Sequence, residues 1–318
     1  MPLDEAMLDM SDAAILARTT AIAEGQRVDG GHYPLEVMSQ LGAAGTFAPH
    51  LDRHGRRYGT AIAAMAAVGR TCGATAFLTW AQDVCGLYIE QSGNPALTGA
   101  LLDGHARGLT FGGTALSNPM KTFAGIEKML LRATRVAGGY VVNGTMPWVS
   151  HIAEDQYCGA VAAVVDHNGD RTHDIMFLLR FDGRAVRRHC PTFSAMEGTS
   201  TWQVQLTDFF VGQDDMIADP VAPYIQRIRA AFVLLQCGIA LGISMGSIDA
   251  MLAVEQSHGH VNAFLNDRPD ELADEAAELQ GVIMRLAETP FDGSKDYLID
   301  VLDARVRGAE FTLRASQS

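Results

Sequence analysis

Paired cysteines, basic clusters and nucleotide loops are what this 318-residue sequence lacks. Its five cysteines (Cys72, Cys85, Cys158, Cys190 and Cys237) are widely spaced and contain no C-x-x-C pair. With that spacing neither a disulfide framework nor a zinc site is indicated, so no metal is expected and a reducing, cytoplasmic setting fits. Lys and Arg number 24 against 37 Asp and Glu, giving a formal net charge of -13 with no basic patch. Nucleic acid is not expected as a partner, because phosphate binding needs clustered cations to displace counterions. The N-terminus carries Asp4, Glu5, Asp9 and Asp12 and has neither the basic stretch nor the apolar core of a signal peptide. No G-x-G-x-x-G follows a strand and no Walker-type loop occurs, so the usual nucleotide folds are not indicated.

What is present is apolar. Hydrophobic residues make up 48% of the chain and charged ones 19%, which implies a soluble globular protein of about two domains with a substantial core. The longest apolar run, Ala230 to Val254, is interrupted by Gln236, Ser244, Ser247 and Asp249. It reads as a buried bundle helix rather than a membrane span, so no membrane association is expected. Helical periodicity runs over Ser11 to Glu24, Leu35 to Leu41, Thr60 to Gly69, Ala74 to Gln91 and Pro95 to Leu102. From Arg132 to Phe210 the pattern changes to six short β-rich runs, with Asn168-Gly169 as a hairpin signal, suggesting an antiparallel barrel or sandwich. Helical periodicity returns over Tyr224 to Val254, Pro269 to Glu288 and Asp303 to Ser318. Helices, strands and helices in that order define an α+β chain with the β module inserted between two helical parts.

Two short pieces carry the chemistry. One is a hydroxyl-bearing turn over Thr114, Ala115, Leu116, Ser117, Asn118 and Pro119, and the other is Trp148-Val149-Ser150. Two strands and a Gly138-Gly139 turn separate them, so the chain can fold back and set both against one ligand. Ser117 and Ser150 offer hydrogen bonds, and the Trp148 indole either fills the end of the β module or covers a flat ring. A planar, heteroatom-rich cofactor wants that set. Two other constellations read as structural. Gly242-Ile243-Ser244-Met245-Gly246 has the letters of a nucleophile elbow inside a continuous helical pattern, and its glycines suit close helix packing. His258 and His260 near Glu255 read as surface histidines in a loop.

At these residues the sequence resembles the acyl-CoA dehydrogenase family. Ala115, Leu116, Ser117, Asn118 and Pro119 are similar to its A-L-T-E-P motif, and Asn143, Gly144, Trp148, Val149 and Ser150 to its N-G-x-K-x-W-I-T motif. The resemblance implies a helical N-terminal domain (1–110), an antiparallel β-barrel middle domain (111–218) and a C-terminal helical bundle (219–318) expected to be incomplete. It further implies FAD held by Thr114, Leu116, Ser117, Trp148, Val149 and Ser150, with Arg229 and Asn118 placed toward an acyl-CoA substrate. The expected reaction is oxidation of the acyl thioester to its α,β-enoyl form, with electron-transfer flavoprotein as acceptor and a homodimer or homotetramer as the assembly. The Gly238, Gly242 and Gly246 face offers one surface for contact between copies.

Asn118 stands where the family has glutamate and Met146 where it has lysine. Residues Ser257 to Asn266 hold no counterpart of its R-x-x-F-G, and Ile228 occupies a position where some members carry the catalytic glutamate. No residue is assigned as the base. A flavin-dependent monooxygenase of the same superfamily, which needs no such base, and a non-catalytic assembly subunit are the alternatives.

Overall fold

A computed structural model describes residues 25–318, apart from 26, 29, 190, 191 and 194. The expected helix from Ser11 to Glu24, and Cys190, lie outside the described residues. The first part of the described chain includes helices α1 (Leu35–Ala43), α2 (Tyr58–Gly69), α3 (Gly73–Gln91), α4 (Pro95–Thr98) and α5 (Ala100–Ala106). Side chains at several helix starts satisfy N–H groups that the helix leaves orphaned. The Asn94 side-chain oxygen accepts from the Ala96 N–H at 3.0 Å just ahead of Pro95. Cys72 Sγ accepts from the Thr75 N–H at 3.5 Å. The single helix expected from Pro95 to Leu102 is two, broken at Gly99.

Among the described residues eight strands follow: β1 (Gly112–Thr114), β2 (Leu131–Val136), β3 (Gly139–Val149), β4 (Tyr157–Val165), β5 (Arg171–Arg180), β6 (Val186–His189), β7 (Trp202–Gly212) and β8 (Met216–Ala218). A short helix, α6 (Ser117–Phe123), lies between β1 and β2, where a turn was expected. The sheet order is β6-β7-β3-β2-β4-β5-β8, with β1 beside β4. This corrects the expected antiparallel barrel on two counts. Among the described residues the sheet is open, with β6 bonded only to β7 and β8 only to β5, and it is mixed, because both β1 and β2 run parallel to β4. Alternating apolar residues specify which face of a strand is buried, but not which strand edges pair, and closure is a property of edges.

Strand β4 is buried on both faces. Tyr157 and Val161 join the helical core, while Cys158, Ala160, Ala162 and Val164 join a second core built mainly of sheet residues. That explains its nearly continuous apolar sequence.

The last part comprises α7 (Ala222–Asn262), α8 (Pro269–Leu286) and α9 (Lys295–Gln317). Helix α7 is 41 residues long and includes His258 and His260 in its final turns, so the expected loop there is helical. Arg268 holds that end, bonding the Asn262 carbonyl and the Glu255 carboxylate, each at 2.6 Å. A stretch of α7 has the length and mean hydropathy (1.9) of a membrane span, yet 67% of its most apolar window is buried inside the chain. The glycine face explains much of that burial. A Cβ at Gly238 would lie 2.9 Å from the Ile62 carbonyl oxygen, at Gly242 2.6 Å from that of Ala66, and at Gly246 2.4 Å from that of Arg70. This face is therefore filled by α2 and its C-terminal cap within the same chain, not left for a second copy. Ser244 between these glycines is fully buried and shares a hydrogen bond with Thr312 at 3.0 Å, as a helix contact rather than a nucleophile elbow.

Candidate functional site

The two chemistry-bearing pieces meet directly, as Thr114 at the end of β1 pairs with Ser150 just past the end of β3. Glycine makes the approach possible, since a Cβ on Gly113 would stand 2.1 Å from the Ser150 carbonyl oxygen. A bulge in β3 at Gly144 shifts its register against β7 between Val142 and Gly144. Gly144 has φ 140°, and the Asn143 side chain fixes the irregularity by accepting from the Asp208 N–H at 2.8 Å. Bulges bend a strand and re-aim the residues beyond them. The Asn143-Gly144 pair thus acts on strand geometry and is not among the residues that line the cavity at this edge.

Beside the Thr114–Ser150 edge opens a cavity of about 720 Å³, within the usual range for small-molecule sites. Thr114, Leu116, Ser117, Met120, Trp148 and Ser150 form its sheet side. The opposite walls are helical: Phe77 and Trp80 from α3, Phe232, Gln236, Ile239, Ala240 and Ile243 from α7, and Arg305, Ala309 and Thr312 from α9. The lining is mainly apolar and contains no carboxylate among the described residues. Its charged residue, Arg305, donates from Nε to the Gln236 amide oxygen at 3.2 Å. Trp80 packs its ring between Phe77 and Phe232, each 5.5 Å away centroid to centroid. Its buried indole N–H has no acceptor among the described residues, an uncommon state for a buried donor. Trp148 is half-exposed and contacts Phe193 at a tilt.

A buried polar network holds the site edge from behind. Gln82 accepts from the Gly112 N–H at 3.0 Å and donates to the carbonyls of His105 and Thr110. His105 Nε2 lies 2.7 Å from the Gln82 carbonyl and therefore carries the proton, leaving Nδ1 to accept from the Tyr157 hydroxyl at 2.8 Å. His151, next to Ser150, sits between the Tyr33 hydroxyl (2.8 Å) and the Gln82 amide oxygen (3.2 Å). Burial pushes His105 down to about 4 and His151 to about 3, so both rings are neutral near pH 7. His50 and Asp83, fully buried at 3.7 Å from each other, form a second pair whose side chains find no hydrogen-bond partner among the described residues. Burial lowers the imidazole and raises the carboxyl, so both are held neutral.

Of the residues expected at the ligand, Thr114, Leu116, Ser117, Trp148 and Ser150 are brought together on the cavity wall. Val149 points the other way into the sheet core, as alternation along a strand requires. Asn118 spends its side chain on the loop after α6, bonding Glu127, the Lys128 carbonyl and the Leu130 N–H. Arg229 is exposed about one turn before the part of α7 that faces the cavity. Sequence reasoning missed the helical walls. Their signal was the spacing of Phe232, Gln236, Ile239 and Ile243, and of Arg305, Ala309 and Thr312, each a stripe along one helix face. The Gln82–His105–His151 network carried no motif, although His151 directly follows the Trp148-Val149-Ser150 tripeptide.

Comparison with models of protein families found no match, and comparison with curated proteins found none. Solved structures do match. Dibenzothiophene monooxygenase TdsC from Paenibacillus sp. A11-2 superposes with a TM-score of 0.78 at 16% identity, over 96% of this chain and 85% of that chain. The complex of TdsC with FMN and indole gives 0.77 at 16%, over 96% and 86%. Butyryl-CoA dehydrogenase from Megasphaera elsdenii gives 0.79 at 16% identity, over 96% and 86%. With its helices, open mixed sheet and closing helices in this order, the chain has the acyl-CoA dehydrogenase fold.

Proposed function

We propose that the chain is a flavin-dependent oxidoreductase acting on an apolar, ring-bearing small molecule, by the monooxygenase branch of chemistry open to this fold. The observation that carries this reading is the cavity itself, where a hydroxyl-lined sheet edge and an indole face apolar helical walls without a carboxylate among the described residues. Dehydrogenation of an acyl thioester needs a base within reach of the α-proton, and the described residues of this lining offer no carboxylate for it. The flavin fits the residues present: Thr114, Ser117 and Ser150 would bond the heteroatoms of its ring, Leu116 would pack on it, and Trp148 would cover its face. The orphaned Trp80 N–H is a further donor in the wall.

When bound, the flavin supplies the two-electron chemistry, passing electrons to dioxygen in this reading or accepting them from an acyl thioester in the dehydrogenase one. The protein's part is binding and exclusion of water. Phe77, Trp80, Phe232 and Ile243 would enclose the apolar body of the substrate, and Arg305 with Gln236 would meet a polar or anionic substituent. FAD is implied by the sequence resemblance, while FMN is the flavin seen in TdsC, so either belongs in the first titration. A reductase that delivers reduced flavin is the expected partner. The test is oxygen consumption by the protein with a flavin reductase and an aromatic heterocycle such as indole. Turnover that depends on protein, reductase and heterocycle together supports the reading. Anaerobic bleaching of bound flavin by an acyl-CoA, with no oxygen uptake, would favour the dehydrogenase reading instead.

A further inference from the structure

The hydroxyl groups behind the site form a chain whose proton direction is fixed at one end. Thr199 Oγ1 lies 2.8 Å from the Met196 carbonyl oxygen, which can only accept, so Thr199 donates its single proton there. Thr199 and Thr201 hydroxyls are 2.8 Å apart, and with the Thr199 proton committed, Thr201 must donate. The Thr201 and Ser150 hydroxyls are 2.7 Å apart, and with the Thr201 proton committed, Ser150 must donate. Any other arrangement sets lone pair against lone pair at hydrogen-bond distance. Ser150, which lines the cavity, is left facing it as an acceptor only.

Its neighbour is set the opposite way. Thr114 Oγ1 accepts from the Leu116 N–H at 3.4 Å and lies 2.9 Å from the hydroxyl of Tyr88. Tyr88 is fully buried and has no other acceptor among the described residues, so its proton goes to Thr114. The proton of Thr114 itself is then free for the cavity. The paired residues Thr114 and Ser150 thus present a donor beside an acceptor.

We infer that this polarity selects the reduced state of the flavin, with Thr201 and Thr199 as positioning residues that set it; the inference rests on the flavin reading above. Oxidised isoalloxazine offers two adjacent acceptors, the C4 carbonyl and N5. Reduced isoalloxazine offers the same carbonyl beside an N5–H donor. A donor next to an acceptor complements the second and opposes the first, where the N5 lone pair would meet the Ser150 lone pairs. An unmade bond of this kind at a buried site corresponds to at least about tenfold in affinity. A protein that takes reduced flavin from a reductase and lets oxidised flavin go would use this selection directly.

The test is equilibrium binding of FMN and FAD to the protein in both redox states, oxidised in air and dithionite-reduced under anaerobic conditions. The wild type should bind reduced flavin at least about tenfold more tightly, which is about 30 mV in the potential of the bound two-electron couple. Thr201→Val and Thr199→Val should bring the ratio of the two dissociation constants toward one by releasing the Ser150 proton, while Thr201→Ser, which keeps the hydroxyl, should preserve it. A merely structural role would weaken both states equally and leave the ratio unchanged. Equal or tighter binding of oxidised flavin by the wild type, or a ratio unmoved in Thr201→Val, overturns the inference alone. Absence of binding in both states, with the protein folded by circular dichroism, removes the flavin reading and this inference with it.

Discussion

At the scale of single residues, the site depends on groups outside the cavity lining. Gly113 lets β1 approach the Ser150 backbone at a distance no side chain permits. Gly113→Ala should separate Thr114 from Ser150 and weaken ligand binding at least about tenfold, while costing about 1–3 kcal/mol of stability as an overpacked site. Binding isotherms and urea unfolding check the two effects separately. Three buried histidines among the described residues give the fold a pH dependence of definite sign. His50, His105 and His151 are neutral when folded, with values pushed down to about 3, about 4 and about 3. The unfolded chain takes up these protons below about pH 6.5, so the stability they confer is present above that pH and is lost as pH falls toward 4. Asp83 acts in the opposite direction, because its buried carboxyl keeps a proton that the unfolded chain releases above about pH 3.9, and its contribution shrinks as pH rises. Between pH 6.5 and 5 three histidines outweigh one carboxyl. The midpoint of urea unfolding should therefore fall on going from pH 7 to pH 5, and less steeply in His151→Gln. A flat profile over that range would mean that these rings are charged in the folded state.

At the scale of elements, helix contact through missing side chains decides the architecture. Helix α2 buries nine of its twelve residues, and it lies against the glycine face of α7. Gly242→Val would drive a side chain into the Ala66 carbonyl and Gly69, forcing the two helices apart. The expected cost is about 3 kcal/mol or more, at the upper end for overpacking, since the obstruction is backbone that cannot change rotamer. Thermal unfolding of this variant against Gly293→Ala, where a Cβ would meet nothing, is the comparison. Strand and helix existence was largely legible, because β4 and α7 announce themselves by apolar runs of strand and helix length. Two kinds of information were not. Which edges of β6 and β8 pair is absent from any single strand's pattern. The direction in which Gly238, Gly242 and Gly246 face, toward α2 or toward another copy, depends on a partner nearly two hundred residues away.

At the scale of the whole molecule, the cavity exists only because α3, α7, α9 and the β1–β3 edge come together, drawing on the first, middle and last parts of the chain. The sheet side of the site was legible because its residues lie in two short motifs. The helical side was not, because Trp80, Phe232 and Arg305 each look like ordinary residues of an amphipathic or buried helix until the helices meet. A ligand that bridges these elements should stabilise all of them together, by about 2.7 kcal/mol at a hundredfold excess over its dissociation constant. The most direct test of the central claim is titration of the protein with FMN and FAD, followed by flavin fluorescence, in the wild type and in Trp148→Ala. Saturable binding of one flavin per chain, weakened at least about tenfold in Trp148→Ala, is the predicted result; no saturable change from either flavin in either redox state, with the protein folded, would contradict it.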